Sequence, residues 1–143
     1  MSQAANYTED RTLDFWLKAN SQTTTAPSTV YVGLATSDPS TGLTNENLEA
    51  GTLTDEVSTS GTAYARQAAT FGTISNGSVS ISSDITFPTA TATFGEVTHI
   101  FIADGDTEGA GNVLFYGTLS ASKQIDTGDS LQFTTGNITV TLG

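Results

Sequence analysis

The sequence contains no cysteine, one histidine and only four basic residues against 15 acidic ones in a chain of 143 residues. Without cysteine there can be no disulfide, thiolate metal site or cysteine nucleophile, so stability must come from packing. A formal net charge of −11 repels phosphate groups, which argues against a nucleic-acid partner. No apolar run reaches the length of a membrane-spanning helix, and no signal-peptide pattern opens the chain. We therefore expect a soluble chain with no membrane contact.

The sequence also lacks the residue combinations that enzymes need. His99 is the only histidine, and no nucleophile-elbow motif supplies a serine for it to activate. A strand histidine without a partner is most often a core or rim residue, and we interpret His99 in that way. We predict a chain that is not an enzyme and that takes no cofactor.

Threonine, serine and glycine dominate the remaining positions, which is typical of an all-β protein. Two apolar runs stand out, Val97–Ala103 and Val113–Leu119, joined by the glycine-rich acidic segment 104–112. Runs of this length between turn residues predict strands that are buried on both faces. We expect the rest of the fold to pack around this pair.

Shorter strand patterns lie on both sides of that pair, separated by turn residues. Asn76-Gly77 is the strongest of these turn signals, because both residues tolerate positive φ, and it predicts a hairpin between Tyr64–Phe71 and Ser78–Ser82. The remaining candidate strands are Thr29–Leu34, Ile85–Pro88, Ser130–Thr134 and Ile138–Leu142. Seven or eight short strands without βαβ alternation predict an antiparallel β-sandwich, jelly-roll-like in outline, with one short N-terminal helix.

The domain organisation follows from these patterns. Residues 1–28 are predicted to form an N-terminal arm that carries the helix, with no structure over the first seven residues. Residues 29–143 are predicted to form a single sandwich domain with a long loop at 36–62. The acidic residues of this loop, and its lack of basic ones, indicate a solvated excursion or an arm that orders against a partner.

The predicted helix covers Thr8–Asn20, with Asn6 and Glu9 as a reciprocal N-terminal cap or Thr8 as the cap. Leu13, Trp16 and Leu17 fall at i, i+3 and i+4 and form one apolar stripe. Because a helix of about 12 residues is marginal alone, the stripe has to dock on something. It either covers one end of the sandwich or contacts a neighbouring subunit.

Asp104, Asp106 and Glu108 alternate in the acidic segment, and alternating carboxylates can hold a hard cation. The spacing begins like an EF-hand loop, but Phe115 stands where the bidentate Glu should be. We therefore interpret the segment as a solvated acidic turn, with a weak Ca²⁺ site as the alternative.

The order of several short motifs resembles small virion proteins encoded in the structural modules of tailed bacteriophages. These motifs are Tyr31–Pro39, Gly61–Gln67, Phe87–Ala90, Gly95–Ile100, Leu114–Lys123 and Ile138–Leu142. The resemblance spans almost the whole chain and diverges most in the long loop. It implies an antiparallel sandwich with no catalytic motif, and similar sandwiches serve as capsid cement proteins.

We therefore expect a virion structural protein, first a cement protein on the outer capsid surface that bridges subunits of the major capsid protein. Leu13, Trp16 and Leu17 are the predicted contacts with that partner, and a homo-oligomer (dimer or trimer) is expected on a symmetry axis. The alternative is a tail-tip or fibre-associated module that binds a host receptor or glycan, which would place exposed aromatics in a concave site. A small hydrolytic enzyme is the third possibility and would need paired carboxylates in a cleft.

Overall fold

The structure, a computed structural model, describes residues 2–18, 25–36 and 48–143. Within these ranges the complete elements are one helix, α1, and nine strands. Their bounds in chain order are β1 Ser2–Ala4, α1 Asn6–Leu17, β2 Val30–Thr36, β3 Gln67–Ala69, β4 Ser78–Ser80, β5 Ile85–Thr86, β6 Gly95–Ala103, β7 Val113–Ile125, β8 Gln132–Phe133 and β9 Thr139–Thr141. No helix in these ranges is long and apolar enough to cross a membrane.

All strand pairs are antiparallel, which confirms the predicted sandwich. The main sheet has the order β1-β7-β6-β2-β3, and two smaller sheets pair β4 with β9 and β5 with β8. The two predicted central strands are β6 and β7, and they lie side by side in the middle of the main sheet. Residues 70–75 and 78–82 meet around the Asn76-Gly77 turn, with both turn residues at positive φ, so that turn is also confirmed.

Apolar side chains cover both faces of the main sheet, because successive residues of the central strands point alternately into two cores. One core packs the sheet against the smaller sheets and contains Leu34, Ile102 and Phe87. The other core lies on the opposite face and contains Phe101 and Tyr116. That second face is covered by part of the long loop, which also contributes buried side chains.

The long loop is therefore only partly what the sequence suggested. Residues 37–47 lie outside the described residues. Residues 48–62 are not a solvated excursion. Leu48 and Val57 are buried, and Asp55 and Glu56 extend the sheet by pairing with Thr36 and Ala35 at the end of β2. The apolar residues of this segment that looked scattered in the sequence are its anchors, since Leu48 and Leu53 lie in the second core and Val57 lies in the first.

The N-terminal residues also differ from the prediction. Ser2–Ala4 do not form a loose arm but pair with β7 as the edge strand of the main sheet. Ala5 is fully buried, and its N–H donates to the carbonyl of Leu114 at 3.0 Å. Because this contact fixes where the chain turns into the helix, Ala5 is the N-cap and no side chain caps α1. The predicted cap by Asn6 and Glu9, or by Thr8, is wrong.

A candidate assembly surface on the N-terminal helix

Helix α1 presents its apolar residues to solvent. Leu13 is 56% exposed, and Trp16 and Leu17 are each 75% exposed. The half-buried positions are Tyr7, Thr8, Arg11 and Asp14, and their spacing of i, i+1, i+4 and i+7 places them on the opposite face of the helix. The helix therefore rests on the body with its polar face and turns the stripe outward. The first expectation, that the stripe covers one end of the sandwich, is wrong.

Two side-chain contacts join successive turns of α1 itself. The guanidinium of Arg11 lies 5.3 Å from the centre of the Tyr7 ring, and Lys18 pairs with Asp14 at 2.7 Å. The hydrogen bond and charge of Asp14 raise the pKa of Lys18. Such an exposed pair contributes little stability, since solvent screens it. No residue of the helix is buried, so α1 is attached mainly through the buried Ala5 that precedes it.

A concave cleft of about 550 Å³ lies along α1. Two exposed aromatics line it, Phe15 and Trp16, whose ring centres are 5.2 Å apart in an edge-to-face arrangement. The rest of the wall is mostly polar and includes Arg11, Thr12 and Asp104. This cleft places two exposed aromatics in a concave site.

The three carboxylates of the acidic segment are not assembled around one point. Asp104 accepts two hydrogen bonds from Asn112, at 2.7 Å from its backbone N–H and at 2.8 Å from its side-chain amide. Glu108 instead accepts from the backbone N–H and hydroxyl of Thr59, with the backbone bond at 2.8 Å. Across the described ranges, no three acidic or histidine side chains are grouped to hold a metal ion. Asp104 and Glu108 fasten loops, and Asp106 is exposed.

A buried ion pair, which was not predicted from the sequence, also holds the acidic segment in place. Arg66 donates to Glu56 through Nε at 2.7 Å and through Nη2 at 2.8 Å, and both side chains are almost completely buried. The remaining Arg66 nitrogen, Nη1, donates to the carbonyls of Gly105 and Ala110. We call Glu56, Arg66 and the groups bonded to them the ionic clamp.

The ionic clamp contains further hydrogen bonds to the Glu56 carboxylate. Glu56 also accepts from the N–H of Gly109 and from the hydroxyl of Tyr64, which in turn accepts from the N–H of Leu34. Burial raises the pKa of Tyr64 far above its usual value, and the neighbouring Glu56 charge adds to this effect, so the phenol stays protonated. The clamp thus joins β2, segment 56–66 and the acidic segment in one network.

A sequence signal for this clamp did exist. The predicted strand that begins at Tyr64 alternates, so Tyr64 and Arg66 share one face. A charged residue on the same face as an aromatic, in a chain with only four basic residues, indicates a buried pair. Its carboxylate partner was not predictable, because Glu56 lies in the segment that carried no strand or helix pattern.

His99 lies on β6 and is buried, with 6% of its surface exposed. Thr98 Oγ1 is 2.8 Å from its Nδ1, and Thr118 Oγ1 is 3.2 Å from its Nε2. Burial lowers the pKa of His99, and the nearby Asp55 opposes this only in part. The ring therefore prefers the neutral form between two threonine hydroxyls.

A small all-β module with buried polar fastenings and an outward apolar helix has the features of a structural component. The chain belongs to the family described as Podophage GP4 fiber I protein gp80, whose model matches residues 3–141. It is therefore a bacteriophage virion structural protein, as the motif resemblance implied. No curated protein matches the chain.

Proposed function

We propose that this chain is a subunit of a phage fibre and that the outward stripe of α1 is its assembly contact. The observation that carries this proposal is the exposure of Leu13, Trp16 and Leu17, each of which is more than half exposed. Large exposed apolar side chains on adjacent turns mark an interaction surface in a soluble protein. Tryptophan in particular is enriched at the centres of such interfaces.

The fibre location rests on the family, since its printed description names a fibre protein. The outer capsid surface and the major capsid protein, which the sequence analysis put first, have no comparable support. The role assigned here is structural rather than catalytic. It calls for many contacts of the same kind within one assembly, which a cysteine-free, acidic sandwich with one exposed apolar helix stripe can supply.

Immunogold labelling of purified phage particles, with antibodies raised against this chain, tests the location. The label is expected on fibres, with a copy number of a few per cent of the major capsid protein. Label spread over the shell, at a copy number close to that of the major capsid protein, would overturn the fibre proposal and restore the cement interpretation.

Complementation tests the contact. A phage that lacks this gene product is grown in a host that produces the variant chain with Leu13→Ser, Trp16→Ser and Leu17→Ser together. A matched control carries Thr89→Ser and Thr127→Ser, two exposed positions away from α1. The helix variant is expected to be made and folded but absent from particles, whereas the control is incorporated. Normal incorporation of the helix variant would contradict the role of the stripe.

A second candidate function is suggested by the cleft along α1, since Phe15 and Trp16 form an exposed aromatic wall beside polar groups. Aromatic faces beside hydroxyl and guanidinium groups suit a sugar ring, so the cleft is a candidate host-glycan site. Titration of the purified chain with oligosaccharides cut from the host surface polysaccharide tests this. Phe15→Ala should abolish the binding signal and Ile74→Ser, outside the cleft, should leave it. No heat of binding with any fragment would dismiss the glycan role.

A further inference from the structure

Another concave surface lies at one edge of the sandwich, where the main sheet and a smaller sheet meet. It is a cleft of about 560 Å³, and its walls include Thr118 and Ser120 of β7 and the segment Asn137–Val140, which contains part of β9. Its volume is within the usual range of binding pockets. The described residues that line it include none that line the cleft along α1. We call this surface the edge cleft.

The edge cleft is uncharged. None of its described lining residues is acidic or basic, although the chain has 15 acidic residues and four basic ones. The half-buried apolar side chains of the cleft pack against the first core; they are Ile100, Phe115, Leu119 and Phe133. Exposed hydroxyl and amide side chains, such as those of Thr118 and Asn137, complete the lining. The cleft therefore offers apolar contacts and neutral hydrogen-bonding groups to an occupant.

The backbone of β9 directs hydrogen-bonding groups into the edge cleft. The carbonyl of Ile138 and the N–H of Leu142 both bond to the hairpin that contains β4. Because successive residues of a strand direct their backbone groups to opposite sides, Thr139 and Thr141 direct theirs away from β4. The N–H of Thr141 donates to the Ser2 hydroxyl at 2.9 Å. Thr139, which lines the cleft, has no such partner for its backbone among the described residues.

The facing edge of β7 is open as well. In the described chain β1 pairs with β7 over Phe115–Gly117, so Thr118 lies just beyond that pairing. The next four residues, Leu119–Ser122, stand opposite the single residue Thr98 of β6 and therefore form a large bulge. Bulged residues leave the hydrogen-bonded ladder. Both strands that border the edge cleft thus carry unpaired backbone groups, which is what the edge of a sheet offers to another chain.

The molecule already contains one residue that joins the two edges. Ser2 pairs with Gly117 of β7 through its place in β1, and its hydroxyl bonds to Thr141 of β9. The edge cleft begins where this bridge stops, because Ser2, Gly117 and Thr118 all line it. A further extended segment in the cleft would lie between Thr118 and Thr139, as Ser2 lies between Gly117 and Thr141.

We propose that the edge cleft binds an extended segment of a different virion protein as an added β-strand. Main-chain hydrogen bonds to both edges supply the affinity, and apolar side chains at alternate positions of the segment contact Phe115 and Phe133. The segment is free of acidic residues, because the lining has no basic group to pair with them and the chain carries a net charge of −11. This second interface does not depend on the assembly contact assigned to α1.

A second copy of this chain suits the edge cleft less well. All nine strands of the described ranges already belong to a sheet, so none of them is free to be donated. A second copy also has the same net charge of −11, which opposes close approach. A neutral segment that covers an uncharged cleft, by contrast, removes no charged group from water. Geometry and charge therefore both favour a strand from a partner of different composition.

Cysteine labelling of assembled particles tests whether the edge cleft is covered. The chain has no cysteine, so each variant, supplied by the complementation described above, contains a single thiol. Thr139→Cys and Ser120→Cys place it in the cleft, and Thr89→Cys is the matched control at an exposed position elsewhere. For both cleft variants a maleimide should react at least about tenfold more slowly in the particle than in the free chain, which corresponds to 1.4 kcal/mol of protection. The control should react alike in both, and equal rates for the cleft variants would overturn the proposal.

Photocrosslinking identifies the occupant. A chain with p-benzoylphenylalanine in place of Thr139 is incorporated into particles and irradiated, and the joined peptides are sequenced by mass spectrometry. A peptide of a different virion protein, without acidic residues, is expected. A peptide of this same chain, an acidic peptide, or no joined peptide despite normal incorporation would contradict the proposal.

Binding of the identified peptide to the purified chain tests strand addition itself. The synthetic peptide is compared with a copy in which every second backbone nitrogen is methylated and so cannot donate a hydrogen bond. Methylation should weaken binding at least about tenfold, and Thr139→Glu in the chain should do the same. Thr127→Glu, at an exposed position outside the cleft, should leave the affinity unchanged.

Equal affinity of the methylated and unmethylated peptides would mean contact through side chains alone and would sink the added strand. Circular dichroism should show that each variant is folded. Because this last measurement uses the purified chain, its outcome does not depend on whether the chain is located in a fibre or on whether α1 is the assembly contact.

Discussion

Helix α1 and the ionic clamp invert the usual distribution of polar and apolar groups. The clamp buries a carboxylate and a guanidinium almost completely, yet every one of their polar groups has a partner. The helix exposes its largest apolar side chains and rests on polar ones. Burying charged groups and exposing large apolar side chains both cost stability. The hydrogen bonds within the clamp offset the cost of burying its charges, whereas α1 has no such offset for its exposed apolar side chains.

The clamp is therefore a part of the chain that stabilises the fold, whereas the stripe of α1 remains available for a contact with another molecule. Losing one member of the clamp leaves a buried charge unpaired, so the fold depends on it. Losing the stripe of α1 removes side chains that are mostly exposed to water. We therefore expect the two regions to respond oppositely to mutation, in stability on one side and in assembly on the other.

The largest effect is expected from Arg66→Met. This change removes the charge partner of Glu56 and the donor to Gly105 and Ala110, so the free energy of unfolding should fall by about 3–5 kcal/mol. Urea denaturation followed by circular dichroism measures it. Lys123→Met, an exposed position on β7, is the matched control and should change the value by less than about 0.5 kcal/mol. Equal effects of the two changes would contradict a structural role for the clamp.

A smaller loss is expected from Gly33→Ala. A Cβ at this position would lie 2.2 Å from the end of the Phe101 ring, which is itself fully buried. Arg66 stacks on the same ring, 5.2 Å from its centre, so displacing the ring also disturbs the clamp. We expect the free energy of unfolding to fall by about 1–3 kcal/mol, as in overpacked cores. The matched change Gly105→Ala, at a half-buried position whose added Cβ meets no atom within 4 Å, should cost much less.

A pH effect of intermediate size is expected at His99. Burial holds its folded pKa below its ordinary value of 6.5, so the unfolded chain takes up the proton first. Stability is therefore fully present above about pH 6.5 and is lost as the pH falls through that value toward the folded pKa, by at most about 1.4 kcal/mol per pH unit. Comparing unfolding free energies of the unchanged chain and His99→Gln between pH 5 and 8 isolates this contribution. Identical pH slopes would refute it.

The smallest effect on stability is expected on α1. Replacing Leu13, Trp16 and Leu17 by Ser should shift the free energy of unfolding by no more than about 0.5 kcal/mol for each change, since these side chains contact solvent. The same denaturation experiment measures it. A loss as large as that of Arg66→Met would erase the contrast between the two regions and would show that the stripe packs on its own body.

Much of the fold could be predicted from the sequence because its signals are local. The apolar runs at 97–103 and 113–119 and the Asn76-Gly77 turn are each complete within a few residues. The edge strand Ser2–Ala4 was missed, since nothing in those residues favours a strand and the pairing with β7 alone makes one.

The candidate site was predictable in its residues and not in its orientation. The spacing of Leu13, Trp16 and Leu17 defines a stripe, and no local rule says which way a stripe faces. That direction is set by Ala5, whose burial and bond to Leu114 fix how the chain enters α1. The clamp was missed for a related reason. Arg66 lies in a segment with a strand pattern, Glu56 lies in a segment with no pattern, and only the tertiary fold brings the two charges together.

The register of the central sheet has a consequence for the evolution of this chain. Ile102 pairs with Phe115 and Ala103 pairs with Val113, so Leu114 is an extra residue with no partner on β6. A deletion of Leu114 would leave Val113 and Tyr116 two positions apart, on the face that they already share. The ladder would close without a frame shift, while the Leu114 carbonyl that accepts from Ala5 and one lining residue of the cleft along α1 would be lost. A relative that lacks this one residue should therefore keep the sandwich and lose the helix as a docking element.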